Sequence, residues 1–350
     1  MAEKLFDIPE TKGQFQVKGV VSGTEKDKFF VDKLTKTRKP FRSVNFGVQF
    51  DKNATMYVGF NGMAQDNVWF SKSEKDSNGK KKTITKKIPW NDRFNFHVDG
   101  FRLIGVNVGV KKTTDETGKE VNDRKILSQF DACKEIADNL KDDESVFVKG
   151  NIEYSTYQKK HKTRFEPTQV SLCKPVDFED KDFKSNADFQ QVIVFTGIDK
   201  SKDAENKFVV SAKIVTYKTI EDAEFIIKDS KLANVFRKNL KPYQAIKVWG
   251  KIDVEQNTEQ IVEDDTWGEK NEMTRVNAPV QRTLVITGAD PKTIEKEVYT
   301  KDKIESAIAK INESKIAEND FGSNDESSSD DWGSTKGSKS EDEDDDEAWG

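Results

Sequence analysis

Two stretches of this chain lie 100 residues apart and share one pattern: Val146-Phe147-Val148-Lys149-Gly150-Asn151-Ile152-Glu153 and Ile246-Lys247-Val248-Trp249-Gly250-Lys251-Ile252-Asp253. In each, a glycine interrupts the run, an isoleucine follows two residues later and an acid closes it. Each also follows a segment with helical spacing. A strand of this kind repeated at a fixed offset marks an internal repeat, so the chain is expected to build one small β unit twice.

The flanking sequence fills in the unit. In the first half, "FQVKGVV" (15–21), "FRSVNFGVQF" (41–50) and "TMYVGF" (55–60) alternate apolar with polar residues at period two, as half-buried strands do. "NVWFSK" adds a fourth strand before a lysine-rich loop, and residues 94–110 read as strand with a glycine break. Ile126, Leu127, Phe130, Ile136, Ala137 and Leu140 follow helical spacing behind Asp123 as the expected cap. A long hairpin comes next. The second half repeats the order, with strands at 191–198, 207–218 and "DAEFIIKD", a short helix at "SKLANVFRKNLKP", a strand at "AIKVWGKIDVE" and a last strand at 282–289.

Three strands, a helix and two further strands are the element order of an OB-fold, the five-stranded barrel that binds oligonucleotides. The expected fold is therefore mainly β, with two OB-fold-like barrels in tandem, each with a short helix, plus a disordered acidic C-terminal tail. The expected boundaries are 1–176 and 177–299 for the barrels, 300–316 for a final helix and 317–350 for the tail.

Charge is distributed unevenly over this plan. Residues 1–176 carry 33 basic and 24 acidic groups, net +9, whereas residues 177–316 carry 23 and 26, net −3. Residues 317–350 hold 13 acids against 2 lysines, net −11. A basic body calls for a polyanionic partner. With no run of 18 apolar residues and no basic, apolar leader at "MAEKLFDIPE", the reading is a cytoplasmic protein without a membrane partner. Cys133 and Cys173 are the two cysteines, too few for a disulfide framework.

No nucleotide-binding glycine loop, nucleophile elbow or metal-spaced acid cluster occurs, so an enzyme is not expected. His97, His161, Cys133 and Cys173 lack zinc-finger spacing, and neither metal nor cofactor is expected. Base-stacking and phosphate-binding residues are abundant in the first half. Unpaired nucleic acid is held by a basic groove along the phosphates and by aromatic rings under the bases. Phe46 is in phase with Val44, Val48 and Phe50, and Phe94 with Phe96 and Val98, so those rings are expected in the core. Tyr57 and Trp69 stand out of phase with their apolar neighbours, Tyr157 shares a face with Lys149, and Phe41 and Trp90 lie in basic loops beside proline. With Arg38, Lys39, Arg42, Arg93, Lys111, Lys112, Lys159, Lys160 and Arg164 they form the candidate nucleic-acid surface.

The chain ends "SEDEDDDEAWG", seven consecutive acids from Glu341 to Glu347 and then Trp349. A tail kept only for solubility has no use for an indole, and similar pairings recur at Asp330-Asp331-Trp332-Gly333 and Asp264-Asp265-Thr266-Trp267-Gly268. Lysine- and aromatic-rich OB-like barrels followed by such a terminus resemble the single-stranded-DNA-binding replication proteins of bacteria and their viruses. The resemblance implies a non-enzymatic protein that binds single-stranded DNA in replication, recombination or repair. It also implies a tail, here Asp342, Asp344, Asp345, Asp346, Glu347 and Trp349, that competes with DNA and recruits replication or recombination enzymes. The chain departs from the bacterial members in ending on tryptophan-glycine rather than proline-phenylalanine, and in carrying two barrels, which points to a bacteriophage version. The competing reading is an acidic-tailed chaperone or phage assembly protein that binds basic protein partners.

Overall fold

The computed structural model describes residues 5–75, 79–157, 160–201, 207–256 and 280–320. In the first half the strands are β1 (Gly13–Ser22), β2 (Phe30–Leu34), β3 (Pro40–Asp51), β4 (Ala54–Met63), β5 (Asn67–Lys75) and β6 (Lys81–Pro89). The short β7 (Arg102–Leu103), β8 (Val106–Gly109), β9 (Lys112–Thr114), β10 (Glu120–Asn122) and β11 (Lys125–Leu127) lead to α1 (Gln129–Asn139). β12 (Ser145–Tyr157) and β13 (Lys160–Leu172) complete this half. The second half has β14 (Asn186–Lys200), β15 (Phe208–Val215), β16 (Ile220–Ile227), α2 (Ser230–Asn239), β17 (Gln244–Gln256) and β18 (Val280–Glu295), and α3 (Lys301–Asp320) follows.

The fold is mainly β, and the two halves pair in the same order. In the second half β14 pairs with β15, β15 with β16, β16 with β18, β18 with β17 and β17 with β14, so the ladders run round in a ring. One parallel pairing, Ile226 with Val285, closes it. The first half follows the same path through β1, β3, β4, β12 and β13 but stays open, because β4 packs beside β13 with no ladder between them. There β13 pairs in parallel with β8, part of the long insertion between β4 and α1.

The repeat extends to local chemistry. In both copies the ladder slips at the glycine, between Lys149 and Gly150 and between Trp249 and Gly250. A Cβ on Gly150 would meet the Glu166 carbonyl oxygen at 2.0 Å, and one on Gly250 the Val285 oxygen at 1.8 Å, so neither position accepts a side chain. The bulge lets each strand coil sharply enough to belong to two neighbours. The turns before these strands match as well: Asp143 and Tyr243 both adopt φ of 67°. Glu144 accepts from the Lys141 N–H and Gln244 from the Lys241 N–H.

β1 and β14 pair antiparallel, from Gly13 opposite Gln191 to Lys18 opposite Asn186, and so fuse the halves into one sheet. Phe15 and Phe189 face each other across that ladder on the buried side, and one hydrophobic core runs through both halves. A second core forms at the far end of the second half, where Phe6 and Ile8 from the N-terminal segment meet Tyr299 and Ile304, Ala307 and Ile311 of α3.

Two local expectations are corrected. The α1 cap is Ser128, not Asp123: its hydroxyl accepts from the Asp131 N–H, while Lys125–Leu127 is drawn into a ladder with β8. Phe94 and Val98 are exposed rather than core, because Pro89 ends β6 and a 3-10 turn at Trp90–Asp92 carries the chain into tight turns, with the Asn95 and Phe96 amides donating to the Asp92 carbonyl. Period two has no meaning in a turn.

Because the Gly250 approach is backbone against backbone, Gly250→Ala is expected to lower stability by about 1–3 kcal/mol. Gly197→Ala serves as control, since its Cβ would meet nothing within 4 Å. Urea unfolding should show a lower midpoint for the first and a midpoint near that of the parent for the second.

Candidate nucleic-acid interface

Alternation along β3 and β4 divides their residues between the core and an outer face, on which Ser43, Gly47 and Gly59 are themselves buried. Val44, Phe46, Val48, Phe50, Met56, Val58 and Phe60 point inward and are buried. The opposite face is assembled from the paired rows Phe41/Met63, Ser43/Asn61, Asn45/Gly59, Gly47/Tyr57 and Gln49/Thr55. Its middle is therefore small or amide-bearing, and its ends carry larger groups. Tyr57 is 52% exposed and Met63 47%, against complete burial of the neighbouring Met56. Asn45 Nδ2 is buried in this floor with no hydrogen-bond partner.

Basic groups converge on the Phe41/Met63 end. The β2–β3 hairpin turns there through Arg38, held at φ of 57°, with Lys36, Arg38 and Lys39 exposed and the Lys33 ammonium 5.3 Å from the Phe41 ring centroid. The β5–β6 arm leaves the sheet at the same end, where the Ala64 N–H donates to the Pro40 carbonyl. It carries exposed Lys75, Lys81, Lys82, Lys86 and Lys87, with Trp69 opposite Lys87. Lys86 lies 4.6 Å from the Phe101 ring. The segment expected as a lysine-rich loop is instead the strand β6, and the period-two "KTITKK" is the sequence signal for it. Across the gap between β4 and β13, Arg164 donates from Nη2 to the Gly59 carbonyl at 3.3 Å and keeps an exposed guanidinium beside the face.

The remaining candidates are distributed differently. Arg42 lies on the inner face, 2.9 Å from Asp32 and stacked 4.0 Å from the Phe130 ring of α1. Arg93 forms a two-pronged pair with Asp131 at 2.7 and 3.0 Å, donates to the Trp90 carbonyl, and stacks on the Trp90 and Phe94 rings. Trp90 meets Phe130 edge-on at 5.9 Å. This cluster pins the insertion to α1 and uses the two guanidinium charges within the chain. Lys111 and Lys112 are exposed at the β9–β10 hairpin, with Lys112 3.6 Å from Glu120. Tyr157 and Lys160 pair at the end of the β12–β13 hairpin. Lys159 and the tail residues Asp342, Asp344, Asp345, Asp346, Glu347 and Trp349 lie outside the described residues, as do Trp267 and Trp332.

The far end of the face touches the second half. The Arg282 guanidinium of β18 lies 5.1 Å from the Tyr57 ring centroid, and burial lowers its pKa from the usual value. The Cys133 thiol is directed at the Arg42 and Phe60 carbonyls on the inner side of the sheet, and burial pushes its pKa up to about 12. Among the described residues no three His, Cys, Asp or Glu side chains are placed to hold a metal ion, and no helix is long and apolar enough to cross a membrane.

No curated protein matches the sequence. Among solved structures, the chain is similar to the wild-type single-stranded DNA-binding protein from Thermus aquaticus at 10% identity and a TM-score of 0.37, over 81% of this chain and 93% of that one. A deletion mutant of the same Thermus aquaticus protein matches at 10% identity and a TM-score of 0.36, over 80% and 94%. The YorF family model matches residues 75–324, from the end of β5 through the whole second half and α3, and the chain belongs to the YorF family.

Proposed function

We propose that this protein binds and protects single-stranded DNA, with little sequence preference, during replication, recombination or repair in a bacterial host infected by a phage. The observation that carries this reading is the solvent face of β3 and β4. It is a strip of small and amide side chains between Tyr57 at one end and Phe41 with Met63 at the other, beside two basic hairpins. Unpaired bases stack on such rings whatever their identity, and lysines and arginines follow the phosphates, so affinity comes without sequence readout. The strip lies within residues 1–176, the half with net charge +9, and that half is the main binding surface.

The acidic C-terminus complements it. Seven consecutive carboxylates imitate a phosphate backbone, and a tether gives them an effective concentration of about millimolar at a basic face of the same chain. The tail competes with DNA for that face, and Trp349 inserts into an apolar pocket on a replication or recombination enzyme.

Two experiments test these parts. Tyr57→Ala is expected to weaken oligo-dT binding by roughly five-fold or more, the loss of one stack, with the urea midpoint little changed; unaltered affinity would remove the β3–β4 face from the account. Deleting residues 321–350, which leaves α3 intact, should tighten oligo-dT binding at low salt, where screening is weak. Trp349→Ala should leave DNA affinity as it is and reduce the host proteins recovered in a pull-down. Equal low-salt affinities with and without the tail would remove competition, and equal recoveries would remove recruitment.

A further inference from the structure

The solvent face of β1 does not stop at the candidate groove. At one end of the strand Ser22 and Val20 lie opposite Gly47 and Gln49 of β3. Eight residues along, a distance of about 26 Å, the same face enters the second half. There two rows of side chains cross the fused sheet. One runs Asn151, Gln14, Gln190, Trp249, Gly288 over β12, β1, β14, β17 and β18. The other runs Lys149, Gln16, Asp188, Lys251 over the first four of those strands. Gln14, Gln16, Lys149, Asp188, Gln190 and Trp249 line one shallow depression.

Trp249 has an unusual setting in this row. It is 43% exposed, although the aromatic rings of β1 and β14 are buried on the other face. A Cβ at position 288 would stand 2.6 Å from its Nε1 and 2.7 Å from Cε2, so the indole lies down across Gly288 instead of standing off the sheet. Beside it the Gln190 amide donates to Gln14 at 2.9 Å, and each of these amides retains donors and acceptors of its own. Asp188, the one acid in the rows, is already engaged by Lys251 and Gln16. At the equivalent position of the first copy stands the exposed Lys149.

We propose that Trp249 is a second stacking platform for an unpaired nucleobase, and that one strand of nucleic acid runs from the β3–β4 face along β1 onto β14 and β17. This rests on the reading that the protein binds single-stranded DNA, and it extends the bound path into the half whose net charge is −3. A flat indole accepts any base, the neighbouring amides meet its edge in either hydrogen-bonding sense, and Lys149 stands where the backbone would cross from one half to the other. The register places these groups in line with the first site along a single β-strand.

The test uses the full-length protein and two oligo-dT ligands, one short enough to occupy the β3–β4 face alone and one several times longer. Trp249→Ala should leave the short ligand's affinity unchanged and weaken the long ligand's by about five- to a hundred-fold, the range of one base–ring stack. Trp249→Phe keeps a ring over Gly288 and should retain most of the long-ligand affinity. Oligonucleotides carrying 5-iodouracil should photocrosslink to Trp249 in the parent protein only when they are long. Long-ligand affinity unchanged in both variants, or no crosslink at Trp249, overturns the platform. If Trp249→Ala unfolds the protein, the crosslink and Trp249→Phe decide the matter. A parent protein that binds neither ligand fails at the β3–β4 face first, and the second platform falls with it.

Discussion

The pairing of β1 with β14 is the interaction on which the rest of the molecule depends. Six consecutive residues of each strand are matched, and a shift of one would turn Phe15, Val17 and Phe189 to solvent and Gln14 and Gln16 into the core. A buried glutamine holds the register. Gln191 is 1% exposed, donates to the Thr11 and Val192 carbonyls, and accepts from the Tyr154 hydroxyl, so its amide is satisfied only when β12, β14 and the segment before β1 stand in their present positions. A Cβ on Gly13 would meet its Oε1 at once, which fixes a glycine opposite. Satisfied buried polar groups of this kind select one arrangement among the many that apolar residues alone would tolerate.

From that pairing follow the shared core and the shared surface. Both halves supply one strand to the joint, so they bury a common apolar interior and present a common polar face. The N-terminal segment crosses to pack with α3, and together they brace the second half. The first copy carries the long insertion, the basic hairpins and the open seam between β4 and β13. The second copy is the more completely laddered, with its ring closed by the β16–β18 pair.

Much of this was legible in the sequence because it is local. The 100-residue repeat, the alternating strands, α2 and the long β12–β13 hairpin follow from period and spacing, and Tyr57 and Trp69 face solvent as their phase requires. What was not legible depends on partners distant in sequence. Ile126 and Leu127 carry helical spacing, yet β8 claims them for a ladder, and the helix waits for Ser128. Arg42 and Arg93 look like phosphate ligands until Asp32 and Asp131, 10 and 38 residues away, are seen beside them. The β1–β14 joint pairs residues 168 to 178 positions apart and leaves no mark in composition, so neither the fused face nor the setting of Trp249 was visible beforehand.

The central claim is that a sheet face of this chain holds unpaired DNA through stacking and phosphate contacts together. It is tested most directly by titrating the full-length protein with labelled oligo-dT and with a duplex of matched length over a series of salt concentrations. The account predicts at least about ten-fold tighter binding of the single strand, since a duplex keeps its bases stacked on one another and offers none to the rings. It also predicts a single-strand affinity that falls steeply with salt, by a slope of about −0.7 for each phosphate neutralised. Equal affinity for the two forms, or a single-strand affinity indifferent to salt, would contradict it.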